Sequence, residues 1–311
     1  MKRMILTAYG NENNVDKGIV IIEQINNHYL KKVLPIDGKS NCCIIFQDKF
    51  YVPVKKEKNF IYEYQMINNH YQKTNEYETR YFYSYGFVKD DLLFLASFES
   101  GVDTIFDLKT KKEIDYSIHN NKLGGRSHYI ALTLDHKYIY AIDNAYQQIY
   151  LYKIENKHFI IYKVVRFENE NIRLMPFSPY SQHGYLNTEI SNRIYILSYK
   201  DGDLEIISKQ DMKTNSQSFS GGNAISEDGK HLCISIRGDN VLNFYDINKD
   251  GTLELIDSIS CGKMPRDIQF FDDTIAVTCT NDHCIELYQL IDSHLRKVDE
   301  IKVFNPITFS L

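Results

Sequence analysis

Tyr138-Ile139-Tyr140-Ala141-Ile142-Asp143-Asn144 is followed, after a short turn, by Gln148-Ile149-Tyr150-Leu151-Tyr152-Lys153-Ile154. Both stretches are rich in β-branched and aromatic residues, the composition of strands buried between stacked sheets. The first member recurs as Met4-Ile5-Leu6-Thr7, Phe50-Tyr51-Val52, Leu93-Phe94-Leu95, Gly184-Tyr185-Leu186, Leu232-Cys233-Ile234 and Ile275-Ala276-Val277. The second recurs at 18–23, 60–64, 104–108, 193–199, 241–247 and 285–290. A unit of about 45 residues made only of strands is a propeller blade, and its seven copies set the architecture. The expected fold is all-β, a seven-bladed β-propeller of four-stranded antiparallel blades, with residues 1–311 as one domain. An open propeller leaves bare strand edges, so the strand around Ile5 is expected to pair with strands near the C-terminus and close the fold. The chain has no tryptophan, which excludes the WD-repeat class.

Net charge is −5, with acidic and basic residues interspersed, so no surface for nucleic acid is expected. No apolar run is long enough to span a membrane. The first residues, Met-Lys-Arg-Met-Ile-Leu-Thr, enter a strand without a signal-peptide pattern, and a cytoplasmic protein is the expectation. Cys42, Cys43, Cys233, Cys261, Cys279 and Cys284 show no CxxC spacing and read as buried reduced thiols. Cys279, His283 and Cys284 read as the end of one strand and the start of the next rather than as metal ligands. No metal and no cofactor is expected.

Turn signals fall between the strands. Ile25-Asn26-Asn27-His28-Tyr29 and Ile67-Asn68-Asn69-His70-Tyr71 are the same turn in consecutive blades. Lys200-Asp201-Gly202 and Lys249-Asp250-Gly251 read as equivalent hairpin turns in which glycine supplies the positive φ. The second of these lies in Asp246-x-Asn248-x-Asp250-Gly251, which imitates a calcium loop, but its flanks are strands rather than helices. Arg237-Gly238-Asp239 spells an adhesion tripeptide by coincidence.

Several segments go further than a generic propeller. Ser127-His128-Tyr129-Ile130-Ala131-Leu132-Thr133-Leu134-Asp135 and Arg173-Leu174-Met175-Pro176-Phe177-Ser178-Pro179 open two blades. Thr188-Glu189 ends a strand, Ile225-Ser226-Glu227-Asp228-Gly229-Lys230 runs on to Arg237-Gly238, and Gly262-Lys263-Met264-Pro265-Arg266-Asp267 opens another blade. Together with the closing Phe304-Asn305-Pro306-Ile307-Thr308-Phe309, these resemble the lactonase family of seven-bladed propellers. That family includes bacterial 6-phosphogluconolactonase and the fungal muconate-lactonizing enzyme. The polar neighbours differ: Leu174, Thr188 and Ile236 replace residues that are His, Asn and Asn in the family pattern.

The resemblance implies a metal-independent lactonase whose catalytic residues are His128, Arg173, Glu189 and Arg237, on three successive blades at the ends of the inner strands. Arg126, Arg266 and Asp267 are added as substrate-binding candidates. The residue types suit the chemistry. Lactone hydrolysis needs an activated water and charge stabilisation at the carbonyl oxygen. His128 or Glu189 can carry the protons, and paired guanidinium N–H groups can hold an anion. The implied substrate is a small anionic molecule, a phosphorylated sugar lactone, and 6-phosphoglucono-1,5-lactone of the pentose phosphate pathway comes first. A cycloisomerase acting on an unsaturated diacid and a non-catalytic ligand- or protein-binding propeller are the alternatives. A monomer or weak homodimer is expected.

Overall fold

The computed structural model describes residues 3–25, 28–68, 70–215 and 217–310. Among them lie seven antiparallel sheets of four strands, the blades of a seven-bladed β-propeller, as expected. Blade 1 joins 306–309 to 3–35, and blades 2 to 7 cover 44–79, 85–118, 127–166, 172–211, 219–260 and 265–302 in chain order. The chain gathers into two compact units, one built on blades 1 to 4 and the other on blades 5 to 7.

The repeat seen in the sequence captures the second and third strands of each sheet. In blade 4 the third strand, Gln148–Glu155, is buried along most of its length, whereas the last, His158–Arg166, is mostly exposed. A strand covered on both faces reads as a near-continuous apolar run, which is why the repeat is conspicuous there. Each repeat is preceded in its sheet by a further, shorter-reading strand. His128 and Arg173 lie on such first strands, Ser127–Leu132 and Ile172–Leu174, and not at the ends of the repeat's own strands.

Buried clusters join consecutive sheets within each unit. Phe244 and Cys233 of blade 6 pack with Ile268, Val277 and Tyr288 of blade 7, and Phe94 and Ile105 of blade 3 pack with Ile139 and Tyr152 of blade 4. Truncating a fully buried Phe such as Phe244 to alanine costs about 3–5 kcal/mol. The expected closure is present: Pro306–Phe309 lies beside Arg3–Ala8, and the Ser310 amide and hydroxyl donate to the Ile5 carbonyl at 2.7 and 2.9 Å.

The two Asp-Gly turns differ from each other. Asp201 and Gly202 (φ 48° and 88°) form a two-residue turn between the paired Lys200 and Asp203, the primed geometry that matches strand twist. Lys249-Asp250-Gly251 instead sits in a longer loop between Ile247 and Leu253. There Asp250 accepts from the Thr252 amide and hydroxyl, and Asp246 accepts from His231, so these carboxylates serve the turn and its neighbour. In the two Ile-Asn-Asn-His-Tyr turns, Asn26, Asn27 and Asn69 lie outside the described residues.

Candidate functional site

One local device recurs at the start of blades 4 to 7. The first strand carries one residue more than its partner, a β-bulge that breaks the ladder and re-aims side chains. In blade 4 the register passes from Ser127↔Asp143 to Tyr129↔Ile142, leaving His128 as the extra residue. In blade 5 it passes from Ile172↔Thr188 to Leu174↔Asn187, leaving Arg173. Gly221-Gly222 occupy the bulge of blade 6 and Arg266-Asp267 that of blade 7. Four of the seven sequence candidates thus stand on the same structural irregularity.

A bulge strands backbone N–H groups, and fully buried polar side chains on the neighbouring strand take them up. The Leu174 amide donates to Asn187 Oδ1 at 3.0 Å, the Gly222 amide to Ser235 Oγ at 2.8 Å, and the Asp267 amide to Thr278 Oγ1 at 2.9 Å. Each unmade bond of this kind would cost about 1–3 kcal/mol. Gly221 and Gly222 allow the bulge of blade 6 to meet blade 7. A Cβ on Gly221 would stand 2.6 Å from the Pro265 carbonyl oxygen, and one on Gly222 would stand 2.7 Å from the Ile268 nitrogen. The sequence reading missed Asn187, Ser235, Thr278 and both glycines. The available signal was a polar residue interrupting each apolar run, as in Leu186-Asn187-Thr188 and Ile234-Ser235-Ile236.

Within blades 5 to 7 these bulges bring three candidates together. Glu189 Oε1 accepts from Arg237 Nη2 at 2.6 Å and from Arg173 Nη1 at 3.4 Å. Arg237 Nη2 also donates to the Ser220 carbonyl at 2.7 Å, and Arg173 Nε to the Gly221 carbonyl at 3.2 Å. The bulged segment Ser220-Gly221 therefore fixes both guanidinium groups from behind, and the Ser220 amide donates to the Glu189 carbonyl at 2.9 Å. Both arginines are 8% exposed, and the Glu189 side chain, at 24%, is the more accessible. Arg237 Nε is buried without a hydrogen-bond partner among the described residues.

Burial first, then the Arg237 charge, push the Arg173 guanidinium down to about 9, with Glu189 pulling the other way. It remains a cation at neutral pH. Arg266 and Asp267 also act on Arg173 electrostatically, with opposite signs. Three guanidinium cations against two carboxylates leave the cluster with a net positive charge. It can hold an anion and stabilise a developing oxyanion, with a carboxylate alongside to move a proton.

His128 and Arg126 belong to the unit of blades 1 to 4. His128 is half-buried with its ring edge-on to Phe98, centroids 5.5 Å apart, and the exposed Arg126 guanidinium lies 5.5 Å from the same Phe98 ring. A buried clasp supports this segment. Asp143 accepts from the Arg126 amide at 3.0 Å and pairs with His119 Nδ1 at 2.7 Å, while His119 Nε2 pairs with Asp103 at 2.8 Å. Ser127 and Tyr152 hydroxyls also donate to Asp103. Burial alone would depress the His119 imidazole, but the Asp103 and Asp143 carboxylates outweigh it and hold its pKa at about 9.

Comparison with known proteins agrees with this architecture. The chain is 30% identical over 169 residues to an uncharacterized protein of Staphylococcus epidermidis, an alignment covering 52% of this chain and 49% of that one. It thus spans about half the length of the curated relative it matches. A proposed 6-phosphogluconolactonase from Bacteroides fragilis superposes with a TM-score of 0.86 at 19% identity, covering 99% of this chain and 97% of the other. The periplasmic gluconolactonase of Pseudomonas aeruginosa does so with a TM-score of 0.80 at 16% identity, covering 99% and 98%. At those identities the superpositions show the fold alone. Residues 47–309 match the family described as lactonase, 7-bladed β-propeller, and the chain belongs to that family.

Proposed function

We propose that the protein hydrolyses an anionic sugar lactone, with 6-phosphoglucono-1,5-lactone as the first candidate. The observation that carries this reading is the Glu189 carboxylate held between Arg237 and Arg173, at 2.6 and 3.4 Å, in a cluster with net positive charge. The names of the two structural neighbours, a gluconolactonase and a proposed 6-phosphogluconolactonase, bring sugar lactones forward as the class to try.

In this scheme a guanidinium of the pair draws the lactone carbonyl oxygen and stabilises the oxyanion as water adds. Glu189 takes the proton of the attacking water. The tetrahedral intermediate then expels the ring oxygen, and Glu189 returns the proton to the leaving alkoxide, so one carboxylate serves both steps. Arg266 supplies further positive charge for a phosphate or carboxylate on the substrate. None of these steps calls on a metal or an organic cofactor. His128, the other proton carrier implied by the resemblance, enters the same assay as His128→Gln. The reading includes a cytoplasmic protein acting as a monomer or weak homodimer.

The test is hydrolysis of 6-phosphogluconolactone and of gluconolactone, each measured above its spontaneous rate, with wild type and Glu189→Gln side by side. Acceleration that vanishes in the variant supports the reading. No acceleration of either lactone by wild type rejects it.

A further inference from the structure

Blade 7 holds a second cluster that the proposed hydrolysis does not use. Its second and third strands, Thr274–Cys279 and Cys284–Ile291, are joined by a short turn, and Cys279 and Cys284 are the register partners that close the hairpin. Side chains two residues apart on a strand share a face, so Glu286 follows Cys284 on the side where Cys279 stands. The sulfurs of Cys279 and Cys284 and a Glu286 carboxylate oxygen all lie within 4.8 Å of one another, and all three residues are buried. Cys261, half-buried in the loop before the strand Pro265–Phe271, borders this group without belonging to the 4.8 Å set, and its thiol acts electrostatically on that of Cys279. That loop is pressed against the cluster: a Cβ on Gly262 would stand 2.8 Å from Cys279 Sγ.

The carboxylate is oriented from outside as a ligand would be. The Tyr288 hydroxyl and the Gly262 amide donate to Glu286 Oε2 at 2.6 and 2.7 Å, and Lys297 Nζ lies 2.6 Å from Oε1. Partners of this kind fix ligand direction in metal sites. His283, which the sequence placed beside the two cysteines, is engaged elsewhere: its ring packs on Phe304 at 5.4 Å, and its Nδ1 accepts from the Asn305 amide. Glu286 takes its place in the group.

We propose that Cys279, Cys284, Glu286 and Cys261 form a structural site for a thiophilic divalent ion of the zinc type. Sulfur donors with one carboxylate suit such an ion, and four protein ligands make a closed, non-catalytic site. Bound cysteines are thiolates, so Cys279, Cys284, Cys261 and Glu286 against Lys297 leave three negative charges, of which a divalent cation neutralises two. Cys261 also gives the ion a way in, since it is the accessible member. The consequence reaches the candidate active site. The ion would tie the hairpin of blade 7 to the loop that runs through Gly262 to Arg266 and Asp267, the pair acting on Arg173.

The test uses reduced, chelator-treated full-length protein titrated with Co2+ alone, then with Zn2+. The expected result is one equivalent of Co2+ bound with thiolate-to-cobalt charge-transfer absorption in the near ultraviolet, bleached when Zn2+ displaces it. Zn2+ should also raise the melting temperature. Cys279→Ser and Cys284→Ser should each weaken Co2+ binding by at least ~100-fold, the upper end of what loss of even an outer partner costs. Should both variants fold poorly, Cys261→Ser, at the half-buried position, should alter the charge-transfer band, while Cys42→Ser leaves it intact. Absence of charge-transfer absorption in wild type overturns the proposal, as does a spectrum unchanged in Cys279→Ser. A Cys279–Cys284 disulfide in protein purified without reductant also overturns it.

Discussion

Arg237 Nη2 bridges the side chain of Glu189 and the backbone of Ser220, donating to Glu189 Oε1 at 2.6 Å and to the Ser220 carbonyl at 2.7 Å. The carboxylate partly neutralises the arginine pair, and in the proposed hydrolysis it also carries the proton. Glu189→Gln removes both properties while keeping the shape. Turnover should fall by about 10²–10⁴-fold, the usual contribution of a positioned acid or base. Binding of an anionic product should tighten, because the cluster gains positive charge. Steady-state kinetics with product inhibition measures both, and an unchanged kcat places the chemistry elsewhere.

Arg237→Lys keeps the charge but loses the planar fork that reaches Glu189 and Ser220 at once. Hydrogen bonds to charged groups contribute about 1.5–3 kcal/mol, so KM for an anionic lactone should rise by roughly 10–100-fold. Equal KM values for wild type and variant would remove Arg237 from substrate binding.

Ser235 is fully buried and serves two blades: its hydroxyl accepts from the Gly222 amide at 2.8 Å and donates to the Pro265 carbonyl at 2.9 Å. Ser235→Ala should destabilise the protein by about 1–3 kcal/mol, through the unpaired amide and carbonyl it leaves behind. It should also loosen the bulge beside the Gly221 carbonyl that positions Arg173. Urea denaturation reads the first effect and kcat/KM the second. A variant as stable as wild type contradicts the role given to the bulge caps.

His119 gives stability a pH dependence. Its folded pKa of about 9 stands above the ordinary value of about 6.5. Its contribution, on the order of 3 kcal/mol, is complete below about pH 6.5 and is lost as pH rises through about 9. Asp143 works in the opposite direction. Burial opposes its charged form, but His119 and the Tyr146 and Arg126 amides hold its carboxyl below the usual value, so its contribution is lost only as pH falls through that lowered pKa. The melting temperature should decline between about pH 6.5 and 9, and His119→Asn should flatten that limb. Parallel curves for the two proteins would exclude the clasp as the source.

Removing Met1 to Tyr9 takes away the strand that Ser310 holds through Ile5, and the whole fold should lose stability. Thermal melts of the truncated and intact chains make the comparison, and coincident melts would sink the claim.

The parts of this molecule that the sequence discloses are those where burial is symmetric. Middle strands such as Leu92–Ser97 and Ile139–Asp143 are buried throughout and read as largely apolar runs. First strands such as Ile44–Phe46 and Ile172–Leu174 are too short to show a period, and last strands such as Asp203–Asp211 face solvent. The charged members of the candidate site were legible through the family resemblance of the segments that carry them, such as Ser127-His128 and Thr188-Glu189. Asn187, Ser235 and Thr278 were not, because their purpose is to satisfy backbone groups displaced by a bulge, and a bulge leaves no period in the sequence. The Cys279–Cys284 pairing was hidden for a related reason. Register across a hairpin, not spacing along the chain, sets those two sulfurs face to face.

Blade 1 joins residues made at very different moments of synthesis. Ile5 and Ser310 are 305 positions apart. At about 5–20 residues per second, Ile5 is made roughly 15–60 s before its partner exists. Through that interval Met4, Ile5 and Leu6 form a bare, apolar strand edge on the nascent chain. Blade 1 is therefore the sheet whose first and last strands are made furthest apart in time, and its open edge is the one exposed longest.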